Sequence, residues 1–297
     1  MDAINRCGYA ALAGRPNVGK STLLNRLIGQ KIAITSHKAQ TTRHALMGIR
    51  TLDGGQILYV DTPGLHLRGG SALNRMLNRT AENVLAGVDV VLLVVQALVW
   101  NAEDDAALQA LKKAGVPVVL VVNKTDLVSP REKLLPYLAE TGDRYPFDAV
   151  LPVSARRGDN LDELERVVLE HLPESENFFP SDQVTDRSER FLAAELLREQ
   201  LTRRYAAELP YALTVEIERF EEDEGLYRIG AVIWVEKPGQ KAILIGKGGV
   251  AMKETSRLAR ENMEKLFQNK VWLDVWVKVR KSWSSDARAL NQFGYLE

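Results

Sequence analysis

Gly14-Arg15-Pro16-Asn17-Val18-Gly19-Lys20-Ser21 carries the spacing G-x-x-x-x-G-K-S. The apolar run Tyr9-Ala10-Ala11-Leu12-Ala13 precedes it, and the helical pattern Thr22-Leu23-Leu24-Asn25-Arg26-Leu27-Ile28 follows. A buried strand, a tight loop and a helix start make up the context of a phosphate-binding P-loop. Glycine at 14 and 19 lets the backbone wrap phosphate oxygens where any Cβ would intrude. Loop amides and the positive end of the helix then face the anion. Lys20 is expected to reach the β- and γ-phosphates, and the Ser21 hydroxyl to meet Mg²⁺, with Thr22 beside it.

The chain has 297 residues, comfortable for two domains. Lys+Arg and Asp+Glu both number 39, so any footprint for a polyanion has to be local. The single cysteine, Cys7, allows no intrachain disulfide and suits a reducing compartment. The run Val88 to Val99 is interrupted by Asp89 and Gln96 and is too short to span a bilayer. It reads as a strand buried on both faces. A soluble, cytoplasmic protein is expected.

Up to residue 172, β-rich runs alternate with amphipathic helical stretches. Strands are expected over Ala10–Ala13, Leu46–Leu52, Gln56–Val60, Val88–Val95, Val116–Val122 and Val150–Val153. Between them fall helices over Lys20–Ile28, Ala72–Leu85, Glu103–Lys113, Arg131–Thr141 and Leu161–Leu172. Such alternation predicts an α/β fold with a mostly parallel sheet. The segment 173–187, holding Pro173 and Pro180, reads as a linker pinned by Phe178 and Phe179. A second domain over 188–297 follows in the order α-β-β-α-α-β. Its helix runs from Ser188 to Glu208, then strands over Leu213–Phe220 and Tyr227–Val235. Helices Gln240–Ile245 and Val250–Phe267 and a strand over Val271–Arg280 complete it.

Asn123-Lys124-Thr125-Asp126 follows an apolar strand, at the sheet edge where ligands bind. A carboxylate there accepts from guanine N1–H and the exocyclic amine, a donor pair that adenine lacks. Asn123 orients the loop and the Lys124 stem lies along the ring. Alone, N-K-x-D is an ordinary polar turn. Its value comes from company: Ser154-Ala155 ends the next strand, bringing the Ala155 amide to guanine O6. Asp61-Thr62-Pro63-Gly64 ends another, with Asp61 beside Mg²⁺ and the Gly64 amide near the γ-phosphate. Thr41-Thr42-Arg43 lies in the loop after the first helix, with Thr42 favoured as the Mg²⁺-linked threonine and Thr41 the alternative. Together these motifs resemble the translation-factor-type P-loop GTPases.

That resemblance implies GTP hydrolysis and loops that order around the γ-phosphate. Lys20, Thr42 and Gly64 are the catalytic candidates, and Ser21, Thr42 and Asp61 the metal candidates. One departure matters: Leu65 stands where many such enzymes place a water-orienting glutamine, so slow intrinsic turnover is expected. The nearest ionisable group, His66, suits ordinary solvation of its loop. Asn17 either shapes the P-loop or, with backbone oxygens near Ala33–Thr35, helps to hold K⁺.

In the second domain, Ile245-Gly246-Lys247-Gly248-Gly249 between two helices resembles the G-x-x-G loop of a type II KH domain. There, glycines admit single-stranded nucleic acid closely and Lys247 meets a phosphate. Lys241, Lys253 and Arg257 add local positive charge, together with Lys237 and Arg260. In the last strand Val271, Leu273, Val275, Val277 and Val279 share one face, which should pack on the helices. Trp272 and Trp276 share the other face with Asp274, Lys278 and Arg280. Aromatics on this face could stack bases. A groove beside the glycine loop is where type II KH domains grip nucleic acid, however, so these tryptophans are expected to be covered, with Trp283, Phe293 and Tyr295 as candidates.

GTPase, linker and KH domain together resemble the bacterial Era family of GTPases over essentially the whole chain. The resemblance extends to Gln40-Thr41-Thr42-Arg43-His44, Thr185-Asp186-Arg187-Ser188 and Glu208-Leu209-Pro210-Tyr211. It implies GTP/GDP and Mg²⁺ as ligands, and a partner in single-stranded small-subunit rRNA near its 3′ end. It further implies a role in 30S subunit assembly, a monomer, and some association with the inner-membrane surface. A GTPase acting on another RNA such as tRNA, or an RNA scaffold holding GTP structurally, would share the motifs.

Overall fold

A computed structural model describes residues 5–36, 38, 41–63, 72–206 and 208–295, leaving the side chains of 72, 74, 75, 78 and 113 undescribed. Two compact units emerge. The first comprises residues 1–33, 42–69 and 77–186, and the second residues 34–41, 70–76 and 187–297.

In the first unit, strands β1 (Arg6–Ala13), β2 (Leu46–Leu52), β3 (Gly55–Asp61), β4 (Val90–Gln96), β5 (Val118–Asn123) and β6 (Ala149–Pro152) form one sheet. Their order is β2-β3-β1-β4-β5-β6. All neighbours pair parallel except β2, which is antiparallel to β3. Helices α1 (Lys20–Ile28), α2 (Ala72–Leu85), α3 (Ala102–Ala114), α4 (Leu134–Gly142) and α5 (Leu161–His171) connect them. Val90 to Val95 and Val118 to Val122 are wholly buried, as central parallel strands require. Each such side chain contributes about 1.5–3 kcal/mol of transfer free energy. Helix α1 turns Leu23, Leu24, Leu27 and Ile28 to the core and stops at Gly29 in the left-handed region. The expected single helix from Arg131 instead begins as a 3₁₀ turn, Arg131–Lys133, ahead of α4.

Residues 173–186 are bound to this unit rather than loosely strung. Gln56 Oε1 accepts from the Phe178 and Phe179 amides, each at 3.0 Å, and Phe178 packs on Tyr9 with ring centroids 6.0 Å apart. The Ile49 amide donates to Val184 O at 2.9 Å.

The second unit contains α6 (Glu189–Arg204), β7 (Leu213–Asp223), β8 (Leu226–Val235), α7 (Pro238–Ile245), α8 (Val250–Phe267) and β9 (Lys270–Val279). A short helix α9 (Ala287–Gln292), absent from the sequence reading, follows. The sheet order is β7-β8-β9, so β9 is an edge strand, parallel to β8. Leu196, Leu197 and Leu201 of α6 share a core with Ile229, Ala231 and Ile233 of β8 and with Ala259 and Met263 of α8. Helix α6 ends at Arg204, short of the expected Glu208, because Tyr205 turns extended and its hydroxyl donates to Leu244 O at 2.8 Å. No helix among the described residues is long and apolar enough to cross a membrane.

Candidate nucleotide and nucleic-acid sites

The P-loop joins β1 to α1. Gly14 adopts φ +139°, and a Cβ there would lie 2.3 Å from Val94 O, so the turn admits glycine alone. Lys20 is buried, its Nζ donating to Gly14 O at 2.8 Å and Arg15 O at 3.0 Å. Burial lowers its ammonium to about 8, against the pull of Asp61. The ammonium thus sits inside the loop whose amides would surround phosphate oxygens.

Asp61 is fully buried at the end of β3, and burial raises its carboxyl above the ordinary value, opposed by Lys20, Ser21 and Thr42. Ser21 Oγ donates to Asp61 Oδ2 at 2.7 Å and lies 3.0 Å from Thr42 Oγ1, which itself donates to Asp61 Oδ2 at 3.2 Å. Asp61 Oδ1 has no hydrogen-bond partner among the described residues. Two hydroxyls and a carboxylate with an unspent buried oxygen are hard donors that suit Mg²⁺. No group of three or more His, Cys, Asp or Glu among the described residues could hold a metal ion. A metal that keeps waters and substrate phosphate oxygens needs no such cage. The Thr41 hydroxyl donates elsewhere, to Lys38 O at 2.6 Å, so among the two threonines it is Thr42 whose hydroxyl reaches Asp61. Thr62 donates to Leu12 O at 2.9 Å, tying the end of β3 to β1. Gly64, Leu65 and His66 lie outside the described residues.

Across the sheet edge, Asn123 Nδ2 donates to Val18 O at 2.9 Å, and Asn123 Oδ1 accepts from the Lys124 amide at 2.7 Å. The same oxygen takes the Ala155 amide at 3.0 Å. The Ala155 N–H, expected to face guanine O6, is here engaged by Asn123, whose buried carbonyl oxygen needs donors. Lys124 Nζ reaches Asn17 O at 2.7 Å and Gln96 Oε1 at 2.8 Å, so its stem spans from the base motif to the P-loop. Ser154 Oγ donates to Asp126 Oδ1 at 2.8 Å, and Thr125 Oγ1 donates to Val153 O at 2.9 Å. The Asp126 carboxylate, expected from the sequence to face guanine, is therefore held in place from the neighbouring strand end.

Asp104 lies outside every sequence motif yet braces this site. Fully buried, its Oδ2 accepts from Arg15 Nε at 2.9 Å and from the Asn101 amide at 3.1 Å. The signal for it is the capping box Asn101-x-x-Asp104 opening α3.

In the second unit Gly246 adopts φ +72° with ψ 174°, and a Cβ there would meet Ala251 Cβ at 2.6 Å. Lys247 and Gly248 stand exposed at the tip of the loop. Beside it runs a groove of about 640 Å³ whose walls include Lys241, Ile245, Gly249, Lys253, Trp276 and Lys278. Arg257, expected to contact nucleic acid, is not in that wall; it pairs along α8 with Glu254 at 2.7 Å and with Glu261. Arg260 pairs with Glu264 at 3.0 Å.

The covered tryptophans expected on β9 are not found. Trp272 is 58% exposed and Trp276 51% exposed. The tail aromatics turn elsewhere: Phe293 packs on Trp234 at 6.1 Å and on Trp283 at 5.6 Å, and Tyr295 stacks on Trp283 at 6.1 Å. Trp283 is anchored there by its indole N–H, which donates to Ala212 O at 3.1 Å.

Residues 9–124 match a family model described as a 50S ribosome-binding GTPase, and residues 208–284 match a KH domain. The chain is 53% identical to GTPase Era of Pseudomonas aeruginosa, covering 99% of this chain and 97% of that one. It is 54% identical to GTPase Era of Stenotrophomonas maltophilia, covering 98% of each. Among solved structures it is similar to a Tyr-to-Ala variant of Aquifex aeolicus Era bound to GDP and AlF₄⁻, with TM-score 0.94 and 36% identity over 98% of this chain and 99% of that one. The same coverage, identity and TM-score relate it to Era in complex with MgGDPNP and nucleotides 1506–1542 of 16S ribosomal RNA. With two ordered domains, a P-loop backed by its base motif, and relatives this similar along their full length, the chain belongs to the Era family of GTPases.

Proposed function

We propose that this GTPase binds GTP and Mg²⁺ at the P-loop and uses their hydrolysis to control binding of 16S rRNA, near its 3′ end, along the KH groove. Small-subunit assembly is the process this serves. The observation that carries the reading is the full-length similarity to the Era complex holding both MgGDPNP and 16S nucleotides 1506–1542. The family model matched by residues 9–124 carries a 50S description, but it covers none of the KH groove. The relative spanning both domains is the better guide to the RNA.

Ser21, Thr42 and Asp61 would hold Mg²⁺, which when bound offsets the charge that develops on the transferred phosphoryl group. Lys20 supplies the protein's own cation, and the loop amides supply aligned donors. Asp126, fixed by Ser154, selects guanine. Leu65 cannot orient water, which makes the intrinsic rate slow and leaves room for RNA to raise it. K⁺ is a further element of this reading, with the exposed Asn17 as its side-chain ligand. Ala33 O already accepts from Asn25 Nδ2 at 2.7 Å, so it would offer K⁺ only its second lone pair. Equal turnover in K⁺ and Na⁺ buffers removes K⁺ from the account. The same reading has the protein act as a monomer in the cytoplasm and at the inner-membrane surface, which sedimentation and cell fractionation test.

The direct test is equilibrium binding of a single-stranded RNA with the 16S 3′-end sequence, in GTP-analogue and GDP states. Tight binding that differs between the states and is lost in Lys247→Asp supports the reading. Equal binding of tRNA favours a GTPase with another RNA substrate, and equal affinity in both states removes the switch.

A further inference from the structure

On β9, Trp272 and Trp276 lie four residues apart, so both point to the sheet face away from α6, α7 and α8, about 13 Å apart along the strand. Large aromatic side chains are seldom left this open without a use. Their neighbours describe the surface. Across the ladder Trp272 lies beside Arg228, Asp274 beside Gly230, and Trp276 beside Val232. A Cβ at Gly230 would lie 3.4 Å from Trp276 Cζ3, so the second indole rests over the space that glycine leaves. The first indole is held by its own N–H, which donates to Asp274 Oδ2 at 3.1 Å.

The charges on this face do not make a phosphate track. Arg228 pairs with Asp223 at 3.2 Å, Arg219 with Glu221 at 2.6 Å, and Lys278 with Glu218 at 2.8 Å. Asp274 between the indoles would repel a phosphate. What remains is a pair of rigid π-faces, which suit bases with their phosphates turned outward. Continuity names the occupant, because Trp276 also belongs to the wall of the groove beside the glycine loop, whereas Trp272 does not.

We propose that Trp272 and Trp276 form a base-stacking platform that carries single-stranded RNA out of the KH groove across the open face of β9. Trp276 takes the first base beyond the groove and Trp272 a later one. The platform rests on the RNA-binding reading above and lengthens the footprint past the roughly four nucleotides that a glycine-loop groove clamps.

The test uses the full chain and two RNAs of the 16S 3′-end sequence, a tetranucleotide and a dodecanucleotide. Both affinities are measured for the parent and for Trp272→Ala, Trp272→Phe and Trp272→Ala/Trp276→Ala. The expected result is a dodecamer-to-tetramer affinity ratio that falls roughly tenfold in Trp272→Ala, further in the double variant, and recovers in Trp272→Phe. Quenching of tryptophan fluorescence by the dodecamer should shrink in step. An unchanged ratio in Trp272→Ala overturns the platform, as expected if the indoles instead dock a protein. If neither RNA binds the parent, or Lys247→Asp binds both as the parent does, the RNA reading fails and the platform with it.

Discussion

The nucleotide site and the KH groove are built on opposite principles. At the first, Lys20, Asp61 and Asn123 are buried and held by local bonds, Lys20 Nζ to Gly14 O, Asp61 Oδ2 from Ser21 and Asn123 Nδ2 to Val18 O. At the second, Lys247, Lys253 and Trp276 are exposed beside an open groove. A compact polyanion with a metal rewards a preorganised, water-poor cradle in which each donor is aimed in advance. A flexible strand of RNA rewards an accessible surface with spread charge and stacking faces. The contrast predicts that substitutions at the first site act steeply and those at the second act gradually.

The largest effect should come from Gly14→Ala. A methyl 2.3 Å from Val94 O cannot be accommodated without moving the loop. Loss of measurable nucleotide binding and about 3 kcal/mol or more of destabilisation are expected, by calorimetry and thermal unfolding. Asp126→Asn should next reduce the preference for GTP over ATP by about 100-fold or more, since two charge-assisted bonds to guanine are lost. Competition binding with both nucleotides reads this.

Acidity sharpens the same comparison. The Lys20 ammonium, lowered by burial to about 8, must be charged to hold triphosphate. Nucleotide affinity should therefore fall as pH rises through about 8, approaching tenfold per pH unit. The sign for stability is opposite. Between about 8 and the ordinary 10.5 the unfolded chain holds the extra proton, so the nucleotide-free fold gains stability with pH there. A flat affinity profile from pH 7 to 9 would break the claim that the cradle is dry.

At the open site, Lys247→Asp should weaken RNA by roughly tenfold, with a shallower salt dependence than the parent. Arg257→Ala should cost less than about twofold, because its guanidinium is already neutralised by Glu254 and Glu261 on an exposed helix face. A large loss there would show that these pairs open to receive RNA.

The parts readable from sequence are those that local chemistry dictates. Helix α1 is legible to the residue because Gly19 and Gly29 punctuate it and its leucines keep a helical period. Strand β2 is read at its observed bounds, but its antiparallel pairing with β3 is not, although Asp53-Gly54 between them is a hairpin signal. Thr42 is separable from Thr41 only by which hydroxyl reaches Asp61, a fact of tertiary geometry. Asp104 is invisible as a brace for Arg15 because 89 residues separate the partners. The alternation of β9 is plain in the sequence, but what covers each face is not. The tail supplies Phe293 and Tyr295 to Trp234 and Trp283, leaving Trp272 and Trp276 open.

The measurement closest to the central claim is GTP turnover by the full chain in K⁺ buffer, with and without single-stranded RNA of the 16S 3′-end sequence. The account predicts slow turnover alone, a clear rise with RNA, and loss of that rise in Lys247→Asp. Turnover that is the same with and without the RNA would contradict a switch in which the open groove governs the buried site.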